Sequence, residues 1–272
     1  MKKLIIKILT LVVWFGSGAG MLVLMSFARE NYLNSPLKSI GITIDHFDET
    51  GFLSEDSIRF EIDQLFQGAI GKSMRYIQTE TLLQDISAIP WVRNVKASTD
   101  LDGKLKVEII ERKPVIRVFA LSGHSVYLDK DGFVFLTNPY KTARVQVVNG
   151  HIDFPPLTFG ITAHVQDKNY RKTLLSGVLS VGMAIMSDEF ANALIDQIYV
   201  SSLQEYELTP KLGGVNIMLG DSSDMNEKLD KLKAFYKEKA LSSEMLEYRA
   251  LNLKFKNQIV CIKKNSLAYE SL

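Results

Sequence analysis

With a single cysteine, Cys261, this 272-residue chain cannot form an intramolecular disulfide, so its fold must be held by packing alone. A lone thiol of this kind reads as a small buried apolar residue. The four histidines, His46, His124, His151 and His164, are scattered without metal-ligand spacing or an HExxH pattern. No long basic block occurs, and a net charge of +1 with acids and bases intermixed argues against nucleic acid and against strong attachment to anionic lipid. Protein partners are the expectation that remains.

Catalytic patterns are incomplete in the same way. Gly68-Ala69-Ile70-Gly71-Lys72-Ser73 ends like a P-loop, but Phe66 stands where the first glycine is needed, and an amphipathic helical pattern rather than a strand precedes it. Ser35-Pro36-Leu37-Lys38 has a Ser-x-x-Lys spacing, yet no Ser-x-Asn accompanies it and Lys141-Thr142 is followed by Ala143 instead of glycine. Asp129 and Asp131 lack the glycine and glutamate of an EF-hand and read as turn residues. Asp221 and Asp224 read as a polar loop and a helix cap rather than an acid and base pair. No catalytic residue, cofactor site, metal site or small-molecule substrate is therefore assigned. A cell-wall enzyme would need a nucleophile or metal constellation not found here.

What the sequence does contain is an uncharged apolar run over residues 8–28, long enough as a helix to cross a hydrocarbon core of about 30 Å. Lys2, Lys3 and Lys7 precede it and only Arg29 and Glu30 follow closely, a bias that predicts a cytoplasmic N-terminus and an exported remainder. The run exceeds a signal-peptide core, and Ser26-Phe27-Ala28 lacks an A-x-A pattern, so a retained anchor is expected. Gly16 and Gly20 share a GxxxG spacing suited to close helix approach.

Residues 31–36 read as a short polar connector. Beyond them Ile40, Ile42 and Ile44 alternate with Gly41, Thr43 and Asp45, the period of a half-buried strand. Ser54 is a candidate N-cap for a helix with Ile58, Ile62 and Leu65 on one face, and a second helix places Leu82, Leu83 and Ile86 inward before Pro90. Trp91, Val95 and Ala97, then Leu105, Val107 and Ile109, predict two strands around Asp102-Gly103. Trp91, Val95, Leu105 and Val107 are expected to join the helix face in one core. Further on, Asp131-Gly132 marks a hairpin turn, and Asn149-Gly150 and Pro155-Pro156 mark loops. A helical stripe of Leu174, Leu175, Val178, Leu179, Gly182, Ile185 and Met186 follows. Strands are expected at 198–200, 206–209, 215–219, 251–255 and 259–263, with a helix carrying Leu229, Leu232, Phe235 and Tyr236 and loosely capped by Asp224-Met225-Asn226-Glu227.

The order strand, helix, helix, strand, strand resembles a POTRA domain, and its details resemble the cell-division family FtsQ/DivIB. The matching pieces are Leu53-Ser54, Ile70-Gly71-Lys72-Ser73, Ile89-Pro90-Trp91-Val92, Glu111-Arg112-x-Pro114, the hairpin from Val126 to Phe135 by way of Asp131-Gly132, Val215-Asn216-Ile217-Met218-Leu219-Gly220 and Leu251-Asn252-Leu253-Lys254-Phe255. The Val-x-Gly usual at the first strand is replaced by Ile44-Asp45-His46-Phe47, and the usual Pro-Gly hairpin by Asp102-Gly103.

The resemblance implies an α+β protein: a cytoplasmic tail at 1–7, a transmembrane helix at 8–28, a connector at 29–36 and a POTRA-type β-α-α-β-β domain at 37–114. A mixed β-rich domain with flanking helices at 115–264 and a tail at 265–272 complete it. It implies a single-pass inner-membrane scaffold of the divisome, enriched at the septum, that binds FtsL and FtsB/DivIC and through them couples to septal peptidoglycan synthesis by FtsW and FtsI. It also places a partner strand on the C-terminal edge, mapped to Leu253, Lys254, Phe255, Ile259, Val260, Cys261, Ile262 and Lys263. Lys254, Lys256, Lys263 and Lys264 crowd this hairpin, as guards of an exposed edge or as receivers of acidic partner residues. The alternative is a POTRA-bearing component of protein export or outer-membrane assembly, which would end in a membrane β-barrel.

Overall fold

A computed structural model describes residues 2–49, 51–211, 214–239, 245, 247–264. The chain forms two compact units, Met1–Ser87 with Val92–Glu111, and Ala88–Trp91 with Arg112–Leu272.

The first unit opens with helix α1, Lys2–Asn34. Its stretch Leu11–Asn34 is long and apolar enough to cross a membrane, and its large apolar side chains from Leu11 to Phe27 are exposed. The expected polar connector is thus helical as far as Asn34. Arg29 to Asn34 contains no helix breaker, and the helix stops only where Pro36 pushes Ser35 out of the helical region.

β1 (Ser39–Asp45), α2 (Glu55–Phe66), a 3-10 turn at Met74–Tyr76, α3 (Thr79–Ser87), β2 (Val92–Thr99) and β3 (Lys104–Glu111) follow. The order is β-α-α-β-β, and the sheet order is β1-β3-β2, with β1 parallel and β2 antiparallel to β3. Ser54 caps α2 in a capping box with Ser57, satisfying helix-end amides that would otherwise lack partners. The core is built from Ile40 and Ile42, Leu105, Val107 and Ile109, Val95, Ile58 and Ile62, and Leu82 and Ile86, all buried.

Two expected members lie elsewhere. Leu65 is half-buried at the edge of that core. Trp91 belongs to the second unit, where its indole N–H donates to the Leu136 carbonyl at 2.9 Å and its ring stands edge-on to Phe159.

Among the described residues the second unit is one ten-stranded sheet, built from β4 (Pro114–Phe119), β5 (Ser125–Asp129), β6 (Phe133–Leu136), β7 (Gln146–Gly150), β8 (Ala163–His164), β9 (Ile195–Val200), β10 (Tyr206–Pro210), β11 (Asn216–Gly220), β12 (Tyr248–Asn252) and β13 (Val260–Lys263). Its order is β13-β12-β11-β10-β9-β7-β4-β5-β6-β8, a mixed sheet with two ends rather than a closed barrel. Helices α4 (Leu175–Ser187), α5 (Glu189–Leu194) and α6 (Met225–Lys239) accompany it. From α4, Leu175, Val178, Val181 and Ile185 enter the core, while Leu174 serves as its N-cap residue and Met186 is exposed. Gly182 is required by close approach, because a Cβ there would meet the Ile116 side chain at 2.3 Å.

The expectations from sequence differ from this unit in several places. Asn149-Gly150 closes β7 instead of marking a loop. α5, six residues capped by Asp188 through the Ala191 amide, escapes periodicity because it is too short to show any. Asp224 adopts φ +49, a left-handed conformation, so it does not present the extended geometry of a capping box.

Candidate functional site

The Glu111-Arg112-x-Pro114 motif explains itself locally. Glu111, with its side chain fully buried, accepts the Phe52 and Leu53 amides at 2.8 and 2.6 Å, and its other oxygen lies 3.2 Å from His46 Nδ1. It thereby holds the loop entering α2. Gly51 has φ +50 beside it, and a Cβ at that position would meet His46 at 2.2 Å. The next residue, Arg112, is buried in the second unit, where its guanidinium pairs with Asp129 at 2.6 Å and lies over the Phe133 ring at 4.7 Å. Asp129 also accepts the amides of Asp131 and Phe133, closing the β5–β6 hairpin. Two adjacent charges thus serve two folds.

The catalytic look-alikes are likewise engaged in structure. In the P-loop-like stretch the Gly68 amide donates to Asp63 O and the Gly71 amide to Leu37 O. The Lys72 ammonium donates to Phe66 O, and the Ser73 hydroxyl to Leu33 O. These bonds tie the loop to α1, to Leu37 ahead of β1 and back to α2 rather than opening a phosphate cradle. His124 lies 3.0 Å from Phe154 O and His164 2.9 Å from Asp131 O, and His151 lies 3.3 Å from the Tyr199 hydroxyl. Among the described residues, no three His, Cys, Asp or Glu side chains form a group able to hold a metal.

The geometry of greatest interest is the end of the large sheet formed by β13. This strand pairs antiparallel with β12 in the register Ala250↔Ile262, Leu251↔Cys261, Asn252↔Val260, with an extra residue on β12 between Tyr248 and Ala250. No strand lies beyond it among the described residues. The Lys264 amide donates inward to Glu247 O at 2.9 Å. Backbone groups of an antiparallel strand alternate sides, and the bulge falls on β12, so Ile262 and Val260 also point inward while Cys261 presents its N–H and C=O outward.

The residues mapped from sequence fall into three sets. Leu253 is fully buried and Ile262 nearly so, which makes them supports of the edge. Ile259 and Cys261 are half-buried against the core cluster, and burial pushes the Cys261 thiol up from its ordinary range, with Lys239 opposing. Phe255 at 47% exposure, Val260 at 40%, and Lys254 and Lys263 are accessible.

The first strand of this hairpin lies earlier than 251–255. Asn252 Oδ1 accepts the Lys254 amide at 3.0 Å and Asn257 takes φ +57, which turns the chain out of the ladder. Of the four lysines, Lys254 pairs with Glu205 and Lys263 with Glu247, each at 3.0 Å, while Lys256 and Lys264 make no ion pair among the described residues. Sequence reasoning missed Lys231, whose ammonium donates to Phe255 O at 2.6 Å and Leu253 O at 3.3 Å, holding this turn against α6. Its only sequence signal is the spacing of four from Glu227, with which it pairs at 3.7 Å.

Comparison with known proteins bears on the same region. Residues 113–262 match the family described as FtsQ/DivIB, C-terminal related. The chain is similar to a cell division protein FtsQ of Geotalea daltonii, 28% identical over 76% of this chain and 70% of the relative. It is also similar to one of a Geobacter species, 26% identical over 71% and 66%, and to one of Rhodothermus marinus, 28% identical over 63% and 60%.

Proposed function

The chain belongs to the FtsQ/DivIB family of cell division proteins, and from that premise we propose that it is a non-enzymatic, single-pass scaffold of the divisome. In this reading α1 anchors it in the inner membrane with the N-terminus cytoplasmic, and both folded units act outside, at the septum. It recruits FtsL and FtsB/DivIC, and through them meets FtsW and FtsI. The observation that carries the site is the terminal position of β13 with the Cys261 backbone directed away from β12. An extended partner segment adds there, main-chain hydrogen bonds supplying affinity and the exposed Phe255 and Val260 side chains supplying contact. Lys256 and Lys264 steer acidic partner residues, each contributing little alone.

The test is capture of membrane partners by the tagged full-length chain, read by mass spectrometry, beside a chain ending before Ile259. The intact chain should recover FtsL and FtsB/DivIC and the shortened one should not. Undiminished capture by a shortened chain that still melts cooperatively would overturn the site. Recovery of export proteins in place of division proteins would overturn the function. A fluorescent reporter active only in the cytoplasm, fused after Leu272, should stay dark.

A further inference from the structure

A second surface lies at the α1 end of the first unit. β1 starts beside β3, with Ser39 opposite Lys104, so the turn between β2 and β3 is at that end. α2 brings the chain back to it and α3 leaves from it, so the loop between them is there too. Hydrogen bonds fix both loops to the exit of α1: Met74 N to Ser35 O at 2.9 Å, Gly71 N to Leu37 O at 2.7 Å and Lys38 N to Gly103 O at 2.7 Å. Arg75 pairs with Glu30 at 2.7 Å, and the Tyr32 hydroxyl donates to Thr99 at 2.6 Å.

With a helical rise of about 1.5 Å per residue, Glu30 lies about 3 Å and Leu33 about 8 Å beyond the end of the apolar run at residue 28. The polar layer on each side of a bilayer is about 5 to 8 Å deep, so groups in contact with Glu30 and Leu33 stand within it or at its outer boundary.

The same two loops expose Ile70 at 59%, Tyr76 at 67% and Leu101 at 87%. Single exposed apolar residues need no explanation, but three at one end of a small unit, beside an anchor, make an apolar patch suited to an interface, with Tyr76 the residue type enriched there. We propose that Ile70, Tyr76 and Leu101 seat the first unit on the phospholipid leaflet at the Asn34 end of α1. Their side chains enter the headgroup boundary. The charges around them nearly balance, Lys38, Lys72, Arg75 and Lys104 against Glu30, Asp100 and Asp102, an excess of one, so the contact is chiefly apolar and depends little on anionic lipid. The proposal rests on α1 spanning the membrane.

The test uses the full chain carrying Cys261→Ser, reconstituted into nanodiscs of phosphatidylcholine or of phosphatidylethanolamine with phosphatidylglycerol. An environment-sensitive fluorophore is placed singly at Tyr76→Cys, Leu101→Cys, Glu49→Cys and Leu24→Cys. Glu49 is exposed near the opposite end of β1, and Leu24 lies inside the span. Labels at 76 and 101 should be quenched by a lipid-borne nitroxide and lose severalfold in quenching by aqueous iodide relative to the label at 49, equally in both lipids. Iodide quenching at 76 and 101 equal to that at 49, with Leu24 still protected, would overturn the seat and spare the anchor. Iodide access at Leu24 would overturn both. Protection that appears only with phosphatidylglycerol would overturn the apolar contact in favour of an electrostatic one.

Discussion

The ten-stranded sheet has two ends, and they are finished differently. At one, β8 is only two residues long, and the chain around it is tied down. The His164 amide donates to Asp167 at 2.7 Å, its ring lies 2.9 Å from Asp131 O, and Val165 donates to Gly132 O at 2.9 Å. A very short edge strand is one of the devices by which sheets avoid pairing with other chains. At the other end β13 runs four residues, regularly paired on its inner side, with its bulge displaced onto β12 and the outward Cys261 groups in line. Among the described residues, the second end is the one that keeps the straight template a partner strand would need. The contrast fits blunting at one edge and, on the function proposed above, recognition at the other.

The largest expected effect bears on the blunted end. Arg112 and Asp129 have side chains 9% and 4% exposed, so Arg112→Ala leaves a buried carboxylate without its cation and should cost about 3 to 5 kcal/mol. Denaturant unfolding of the detergent-solubilised chain measures this. Replacing both partners by apolar residues of similar volume should recover most of the loss, since the pair's desolvation offsets much of its attraction. An unchanged midpoint for Arg112→Ala would show that the hairpin beneath β8 does not depend on the pair.

At the β13 end the matching change is Leu253→Ala. Leu253 is fully buried under the turn leaving β12, and the substitution should cost about 2 to 5 kcal/mol, with partner capture lost through unfolding rather than through contact. Ile62→Ala should behave likewise in the first unit, whereas half-buried Leu65→Ala should cost less than Ile62→Ala. Equal midpoints for Leu65→Ala and Ile62→Ala would show that exposure does not rank these positions.

How far the sequence discloses this follows from the range of the interactions involved. Asp131-Gly132 and the Ser54 cap are legible because their chemistry is complete within a few residues. The terminal position of β13 is foreseeable, since a last strand tends to an edge. Trp91 is misplaced because alternation gives its face but not its partner, and Leu136, 45 residues away, accepts its N–H. The direction of each amide on β13 is invisible in sequence. It depends on the register with β12, where the chain left the ladder earlier than hydrophobic alternation suggests because Asn252 and Asn257 turn it.

That register sharpens the comparison by a pair of prolines. Cys261→Pro removes an outward donor and should weaken capture of FtsB/DivIC about tenfold, the equivalent of about 1.4 kcal/mol, with little change in melting. Val260→Pro removes an inward bond to β12 and should lower the melting temperature more than it lowers affinity in the folded fraction. If the two variants exchanged these behaviours, the ladder would be offset by one residue and the partner would meet the opposite set of backbone groups. Binding titrations and thermal melts of the same two preparations separate the outcomes.

The smallest effect concerns the loop that leads from β11 into α6. Hydrogen bonds from Lys228 and Ser223 lower the Asp221 carboxyl from 3.8 to about 2. A carboxylate whose folded value is depressed adds stability above its unfolded value and loses it as pH falls toward the folded one. The contribution should therefore be complete above about pH 4 and fade between 4 and 2. With the Asp221 side chain 76% exposed, solvent screening holds it below about 1 kcal/mol. Asp221→Asn keeps an oxygen for Lys228, whose ammonium also donates to the Asp221 carbonyl at 2.9 Å, so the substitution isolates the charge. The midpoints of the parent and variant should differ slightly at pH 6 and converge as acid is added. A gap that widened on acidification would mean that the carboxylate is held by something other than these hydrogen bonds, and that this loop is braced differently.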